Sequence, residues 1–257
     1  HLGRVHGHCS DLSGADLTQA QAHKGGFGDA FFHRAVLDGA NFSNAFFFAG
    51  DLTGMEARGA NFQGAYLAHA NLRGAYLIEC DLSGADLRRS DLREMDLKGN
   101  HLAAAILEGC KLQGAQVRNA RLPSANLAQA DMTGAQFAGA MLWGADLSDA
   151  KLAGVCFAGA NLQNVDFTGA VFQRGSTREG LVLNKAPMWG SLTGFYSGDS
   201  SGLDAHSPEE IRTANFCRAD LREAEVHRTD WYLVDLRAAL YDSEQARHFR
   251  GCEAILT

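Results

Sequence analysis

Proline is nearly missing from this chain: 3 residues in 257, against 29 glycines. A chain that turns often must then turn through glycine or other residues that tolerate positive φ. Long hydrophobic runs are missing too. No window approaches 18 consecutive apolar residues, so no membrane-spanning helix is expected, and no secretory h-region is visible. Positive charge is in deficit: 23 Lys and Arg face 30 Asp and Glu, a net charge of −7. That balance argues against a nucleic-acid partner held by phosphate neutralisation. The six cysteines, Cys9, Cys80, Cys110, Cys156, Cys217 and Cys252, form no C-x-x-C pair. They read as free thiols or small core residues, not as a disulfide framework. No nucleophile motif, phosphate loop or H-E-x-x-H occurs. The chain is therefore expected not to be an enzyme, and no cofactor or metal is assigned to it.

What the chain does have is a period of five. From Leu12 to Phe172, 33 large apolar centres follow one another every five residues without insertion or deletion. Leu or Phe occupies 29 of them; the exceptions are Ala22, Ala57, Val117 and Met132. Two residues before each centre the side chain is usually small, with Ala at 22 of 33 units. Two residues after it, 16 of 33 are Gly. An α-helix would place successive centres about 140° apart and smear them around its surface. A flat strand has period two, so an odd spacing would alternate its faces. A chain that turns a corner in every unit satisfies the pattern, with the corner near the glycine-rich position. If each corner is about 90°, four units close a square coil of 20 residues, and coils stack about 4.8 Å apart. In the unit Met55–Gly59, a large Met55 and a small Ala57 exchange their usual sizes, as a filled interior requires. Met95 has no such compensation, and a locally widened coil is expected there.

"GADLRRSDLREMDLKG", "GANFQGAYLAHANLRGAYL" and "SANLAQADMTGAQF" resemble the A(D/N)LXX signature of the pentapeptide repeat family. The resemblance covers about two thirds of the chain. It implies an all-β solenoid, a right-handed quadrilateral β-helix of stacked 20-residue coils, to which the ending adds a short C-terminal capping α-helix. Some members resemble duplex DNA in shape and charge and bind DNA gyrase; that topoisomerase-protecting role is the alternative function here. Similar proteins occur in cyanobacteria and in the thylakoid lumen of plastids. The expected location is thus a soluble one, either the bacterial cytoplasm or a processed plastid compartment, and an accessory subunit of a photosynthetic complex is one form the function can take. The chain begins at His1, which fits either processing or trimming.

Five segments are expected: a lead-in at 1–9, uninterrupted repeats at 10–172, a degenerate repeat with an insertion at 173–213, final repeats at 214–241, and a helical cap at 242–257. The lead-in "HLGRVHGHC" carries His1, His6, His8 and Cys9, which reads either as a metal-binding tract or as a flexible end. The insertion contains "SPEE", a helix-start signal. The distance from Phe172 to Phe216 is 44, not a multiple of five, so the repeat is expected to slip register. In the ending, Asp242 or Ser243 can cap a helix that Gly251 ends, with Ala246 and Phe249 on one side. Such a cap would cover the open strand edges and the core of the last coil.

Function is sought in the outward-pointing exceptions. The aspartates Asp81, Asp86, Asp91 and Asp96 recur before the centres and are expected to bond nearby backbone at corners. Arg73, Arg88, Arg89 and Arg93 form a basic group among them, read as a mixed, solvated face. Residues 20 apart share a column, and one outward column reads Gly26, Phe46, Tyr66, Asp86. Phe48 lies on the same face and Phe31 on the adjoining one. These aromatics, with Trp189, Phe195 and Tyr196 of the insertion, are the candidate interface of a rod-like scaffold that binds a protein partner; the first residues folding over the patch is the other reading. A homo-oligomer is also compatible with the pattern.

Overall fold

The computed structural model describes residues 6–172, 176–177, 180–181, 214–226, 229, 231, 234–252 and 254–256. The units of the uninterrupted repeat share one local structure, except those centred on Ala57 and Leu77, where the closing turn bond is missing. Leu12 accepts a hydrogen bond at its carbonyl from Ala15 N–H (3.0 Å), closing a β-turn over Ser13 and Gly14. Gly14 has φ +67°, as the third residue of a type II turn requires. The corner residue has positive φ in all 32 units from residue 14 to 169, and only 16 of the 32 are glycine. The other half, among them Lys24, Arg34, Glu79 and Ala104, hold a left-handed backbone that disfavours an L side chain by roughly 1–2 kcal/mol each. The stacked ladder holds them there: the corner N–H bonds a carbonyl one coil on, as in Gln19 N–H to Asp38 O (2.8 Å) and Glu94 N–H to Gln113 O (3.2 Å).

Coils stack in parallel with a register of 20 residues. Asp11 pairs with Phe31, Phe31 with Asp51, and Asp51 with Asn71, and the other three faces repeat this. Where the pairing lengthens it forms two short parallel strands, β1 (Glu56–Arg58) and β2 (Tyr76–Ile78). The centres and the small residues two before them point inward and are buried from Ala22 to Phe172, while in the first coil Leu12, Leu17 and Ala20 are partly covered. The aspartates and asparagines before the centres accept at the corner: Asp81 Oδ1 from Ser83 N–H (2.9 Å), Asp96 Oδ1 from Lys98 N–H (3.0 Å).

The coil begins before residue 10. His6 already pairs with Gly26, and Gly7 stands where a centre would stand, closing a turn with Ser10. Residues 6–9 therefore belong to the first coil rather than to a separate lead-in. At Met95 the stacking of the coils is undisturbed. Gln116 N–H bonds Met95 O at 2.8 Å, an ordinary length along the axis, while the turn that closes on Met95 is long, with Met95 N–H to Leu92 O at 3.3 Å; Met95 shares its column with Ala75 and Ala115. Nor does the repeat lose its place across the insertion. Cys156 pairs with Asn215, Asn161 with Asp220 and Asp166 with Glu225. Each offset is 59, which is 20 plus a 39-residue excursion, so Phe216 takes the place directly after Phe172. The excursion starts with a small antiparallel hairpin, β3 (Ser176–Thr177) with β4 (Gly180–Leu181). "SPEE" lies outside the described residues.

The C-terminal end is closed by α1 (Ser243–Gly251). Asp242 is its N-cap and accepts from Glu244 and Gln245 N–H (both 2.9 Å), while Gln245 Oε1 accepts from Asp242 N–H (2.9 Å), a full capping box. The buried side of α1 is Gln245 and Phe249; Ala246 is only partly covered. Phe249 packs on Trp231, ring centres 4.8 Å apart. Gln245 Nε2 donates to Leu221 O (2.6 Å) and Ala224 O (2.9 Å). In a regular coil the carbonyl at Ala224's position receives the backbone N–H of the residue 21 further on, as Ala85 O does from Ile106. Gln245 is 21 further on from Ala224, and its side-chain amide takes the place of that backbone amide.

Candidate protein interface

Phe46 and Tyr66 sit at the strand position before a centre, where the side chain must point outward. Their backbones are one coil apart, tied by Phe47 N–H to Tyr66 O (2.7 Å), so the rings stack face to face with centroids 4.5 Å apart. Phe48 lies across the same strand and meets the edge of His69 at 5.4 Å. Phe31 occupies the adjoining face. The four are each about half exposed, 46–51%. Residues 6–9 do not fold over them, since those residues form the first coil. Trp189, Phe195 and Tyr196 lie outside the described residues.

Five exposed apolar side chains escaped the sequence reading: Tyr76, Met141 and Trp143 in the array, and Leu240 and Ile255 near the C-terminus. Met141 and Trp143 flank one centre, Leu142, as Phe46 and Phe48 flank Phe47. The same rule, a large apolar residue at an outward position, finds them when carried past the early coils.

Three of the four arginines of the basic group, Arg73, Arg88 and Arg93, are paired with carboxylates where they stand. Arg88 Nε and Nη2 clamp Asp86, with Nε to Oδ1 at 2.9 Å, and Arg93 does the same to Asp91 at 2.8 Å. Asp220 with Arg222 and Asp235 with Arg237 repeat the arrangement in the last coils. Arg73 bonds Glu94 at 3.1 Å. The arginine two residues on holds the carboxyls of Asp86, Asp91, Asp220 and Asp235 below the usual carboxylate range, against the opposing effect of partial burial. Two thiols go the other way: burial pushes Cys80 up to about 11 and Cys110 to about 12, so both stay protonated and inert at neutral pH.

Of the residues in the N-terminal tract, His8 and Cys9 are brought together with Asp29 of the next coil. His6 lies in the column below Gly26, and His1 is outside the described residues. Among the described residues this is the one group of side chains with metal-ligand chemistry in mutual reach. A cleft between α1 and the last coil is lined by Glu223, Glu225, Asp242 and Glu244, with the capping amide of Gln245 at its side. None of the described helices is long and apolar enough to cross a membrane.

The family model for pentapeptide repeats matches residues 58–93, 101–137 and 130–169, inside the 33-unit array. The chain belongs to the pentapeptide repeat family. Its fold is the right-handed quadrilateral β-helix that the motif implies, with a C-terminal helix added. Solved structures of the family are similar to it. A pentapeptide repeat protein of the Arabidopsis thaliana thylakoid lumen is 35% identical, over 36% of this chain and 64% of that one, with a TM-score of 0.35. The present chain thus spans somewhat less than two thirds of that protein. HetL, involved in heterocyst differentiation regulation in the cyanobacterium Nostoc sp. strain PCC 7120, is 31% identical over 65% of this chain and 84% of its own, with a TM-score of 0.22. A trypsin-treated variant of QnrB1, a plasmid-mediated fluoroquinolone resistance protein, is 22% identical over 85% and 86%, with a TM-score of 0.42. No curated protein matches the chain at a significant level.

Proposed function

We propose that this pentapeptide repeat chain is a non-catalytic scaffold that binds a protein partner through the outward aromatics of its early coils. The observation that carries the reading is the half-exposed cluster of Phe31, Phe46, Phe48 and Tyr66 on coils whose outward positions are elsewhere mostly polar. A rigid backbone fixes these rings in advance, so binding them orders few side chains. Aromatic anchors of this kind dominate the energy of protein interfaces. Among the described residues the interior of the rod is occupied by buried apolar side chains, where a small molecule would need a concave opening.

The test starts from the protein that co-purifies with the chain from its native source. Binding to that purified partner should weaken by at least about 30-fold in Phe46→Ser/Phe48→Ser, the size expected for loss of an anchor worth ~2 kcal/mol. Its circular dichroism should be unchanged. A strictly monomeric chain with no partner, or equal binding by the variant, removes the proposal. A DNA gyrase supercoiling assay covers the alternative: inhibition or protection by the chain would replace the scaffold reading with gyrase binding. The paired arginines work against a DNA-like acidic surface, so no effect is expected.

A further inference from the structure

The unit centred on Phe27 is unlike every other. Among the 33 units from Leu12 to Phe172, it alone has glycine at the outward position before the centre, Gly26, and it alone has glycine at the position after it, Gly28. Both columns are filled one coil below, by His6 and His8, and one coil above, by Phe46 and Phe48. The result is a notch in an otherwise continuous wall. The His8 ring leans into it: its Nδ1 lies 3.1 Å from where a Cβ on residue 28 would stand. A side chain at 28 would push it out.

At the corner of this notch stand Cys9 and Asp29. Both are left-handed corner residues, φ 57° and 53°, one coil apart in the same column, and the ladder fixes both (Cys9 N–H to Gly28 O, 2.9 Å; Asp29 N–H to Phe48 O, 3.0 Å). His8 Nε2 is 3.8 Å from Asp29 Oδ2. One imidazole nitrogen, one thiol sulfur and one carboxylate oxygen all lie within 4.8 Å of one another. A tetrahedral ion bound at about 2.0–2.3 Å needs its ligands roughly 3.3–3.7 Å apart. All three side chains are exposed and have room to close that gap.

We propose that His8, Cys9 and Asp29 form a binding site for a thiophilic divalent ion of the zinc class, with Gly28 making room for the imidazole. A mixed nitrogen, sulfur and oxygen set suits Zn²⁺ or Co²⁺ and not the oxygen-seeking Mg²⁺ or Ca²⁺. Three protein ligands leave the fourth position, on the solvent side, for water. Backbone on both sides of the site is held by the coil, so only side-chain torsions need to adjust on binding.

Cobalt is the probe. The full chain, kept reduced, should take up one Co²⁺ with a thiolate-to-metal absorption band in the near ultraviolet, and Zn²⁺ should displace it. Cys9→Ser should abolish the band, while Cys156→Ser leaves it intact. His8→Gln and Asp29→Asn should each weaken Zn²⁺ binding by at least 10-fold, with thermal melting of the metal-free variants unchanged. Failure to bind one equivalent, a band that survives Cys9→Ser, or affinity indifferent to both His8→Gln and Asp29→Asn would each overturn the proposal.

Discussion

The coils from Phe27 to Phe62 and those from Leu67 to Met132 have the same square cross-section and fill it differently. In the first group five of eight centres are Phe, and the residues two before them are Gly or Ala except at Met55, where the centre itself shrinks to Ala57. Phe42 stacks on Phe62 at 5.7 Å and Phe27 on Phe47 at 5.4 Å, so rings run along the axis of the rod. In the second group none of the 14 centres is aromatic. Volume is returned at the position two before, where Cys80, Ser90, Met95, Asn100 and Cys110 replace Ala. Four of these also reach backbone: Asn100 Nδ2 to Leu77 O (2.6 Å), Ser90 Oγ to Leu87 O (2.6 Å), Cys110 Sγ to Leu87 O (2.8 Å) and Cys80 Sγ to Ala57 O (3.0 Å). One stretch is held by ring packing, the other by aliphatic filling with interior hydrogen bonds. A solenoid tolerates both because each coil answers only to its neighbours.

The largest expected effect separates the two modes directly. Phe47→Ala removes a ring that touches Phe27, Phe32, Phe42 and Phe62, and should destabilise by about 3–5 kcal/mol. Leu97→Ala in the middle coils should cost less, about 2–4 kcal/mol. Urea unfolding with local hydrogen exchange measures both, and an equal or reversed order would show that ring stacking adds nothing beyond volume. Next comes Asn100→Ala, at about 1–3 kcal/mol, since it strands Leu77 O and the Cys80 N–H that Asn100 Oδ1 accepts at 2.9 Å. A change below ~0.5 kcal/mol would mean that water replaces the amide.

The smallest effect is the acid response of the aspartate–arginine clamps. Asp86 and Asp91 have lowered carboxyl affinities for protons when folded, so the unfolded chain takes up protons first as pH falls. Their contribution is present above the ordinary carboxylate value of about 3.9 and is lost as pH drops below it. Melting temperature measured from pH 6 to pH 2.5 should fall less in Asp86→Asn/Asp91→Asn than in the parent. An identical fall in both would assign acid sensitivity to other groups.

The period of five made the coil legible, because one inward and one small residue per unit leave a single solution. The corners were half legible. Glycine marks 16 of them, but Arg34 or Glu79 in a left-handed corner is imposed by the ladder above and below, which no local pattern records. The period places Asn100 inward, two before a centre, but does not record that its amide bridges Leu77 O and Cys80 N–H. At the C-terminus the Asp242 signal and Gly251 framed the helix correctly, yet the apolar pattern pointed to Ala246 where the buried residue is Gln245, recruited by carbonyls 21 and 24 residues back. The approach of Asp29 to His8 and Cys9 is visible only once residues 20 apart are known to share a column. The early aromatics were found because they break a polar column; Trp143 breaks one too.

The amide of Gln245 has a consequence for assembly. A parallel ladder grows by adding any strand that offers an N–H to its last free carbonyl, from the same molecule or from another. At Ala224 that carbonyl is already taken by a side chain standing where the next strand would arrive, and Phe249 lies over the ring of Trp231 beneath. The helix is therefore a terminator for this one of the four ladders. The ladders that run on to Leu240 and Ile255 are not closed by the Gln245 amide, and both residues are exposed.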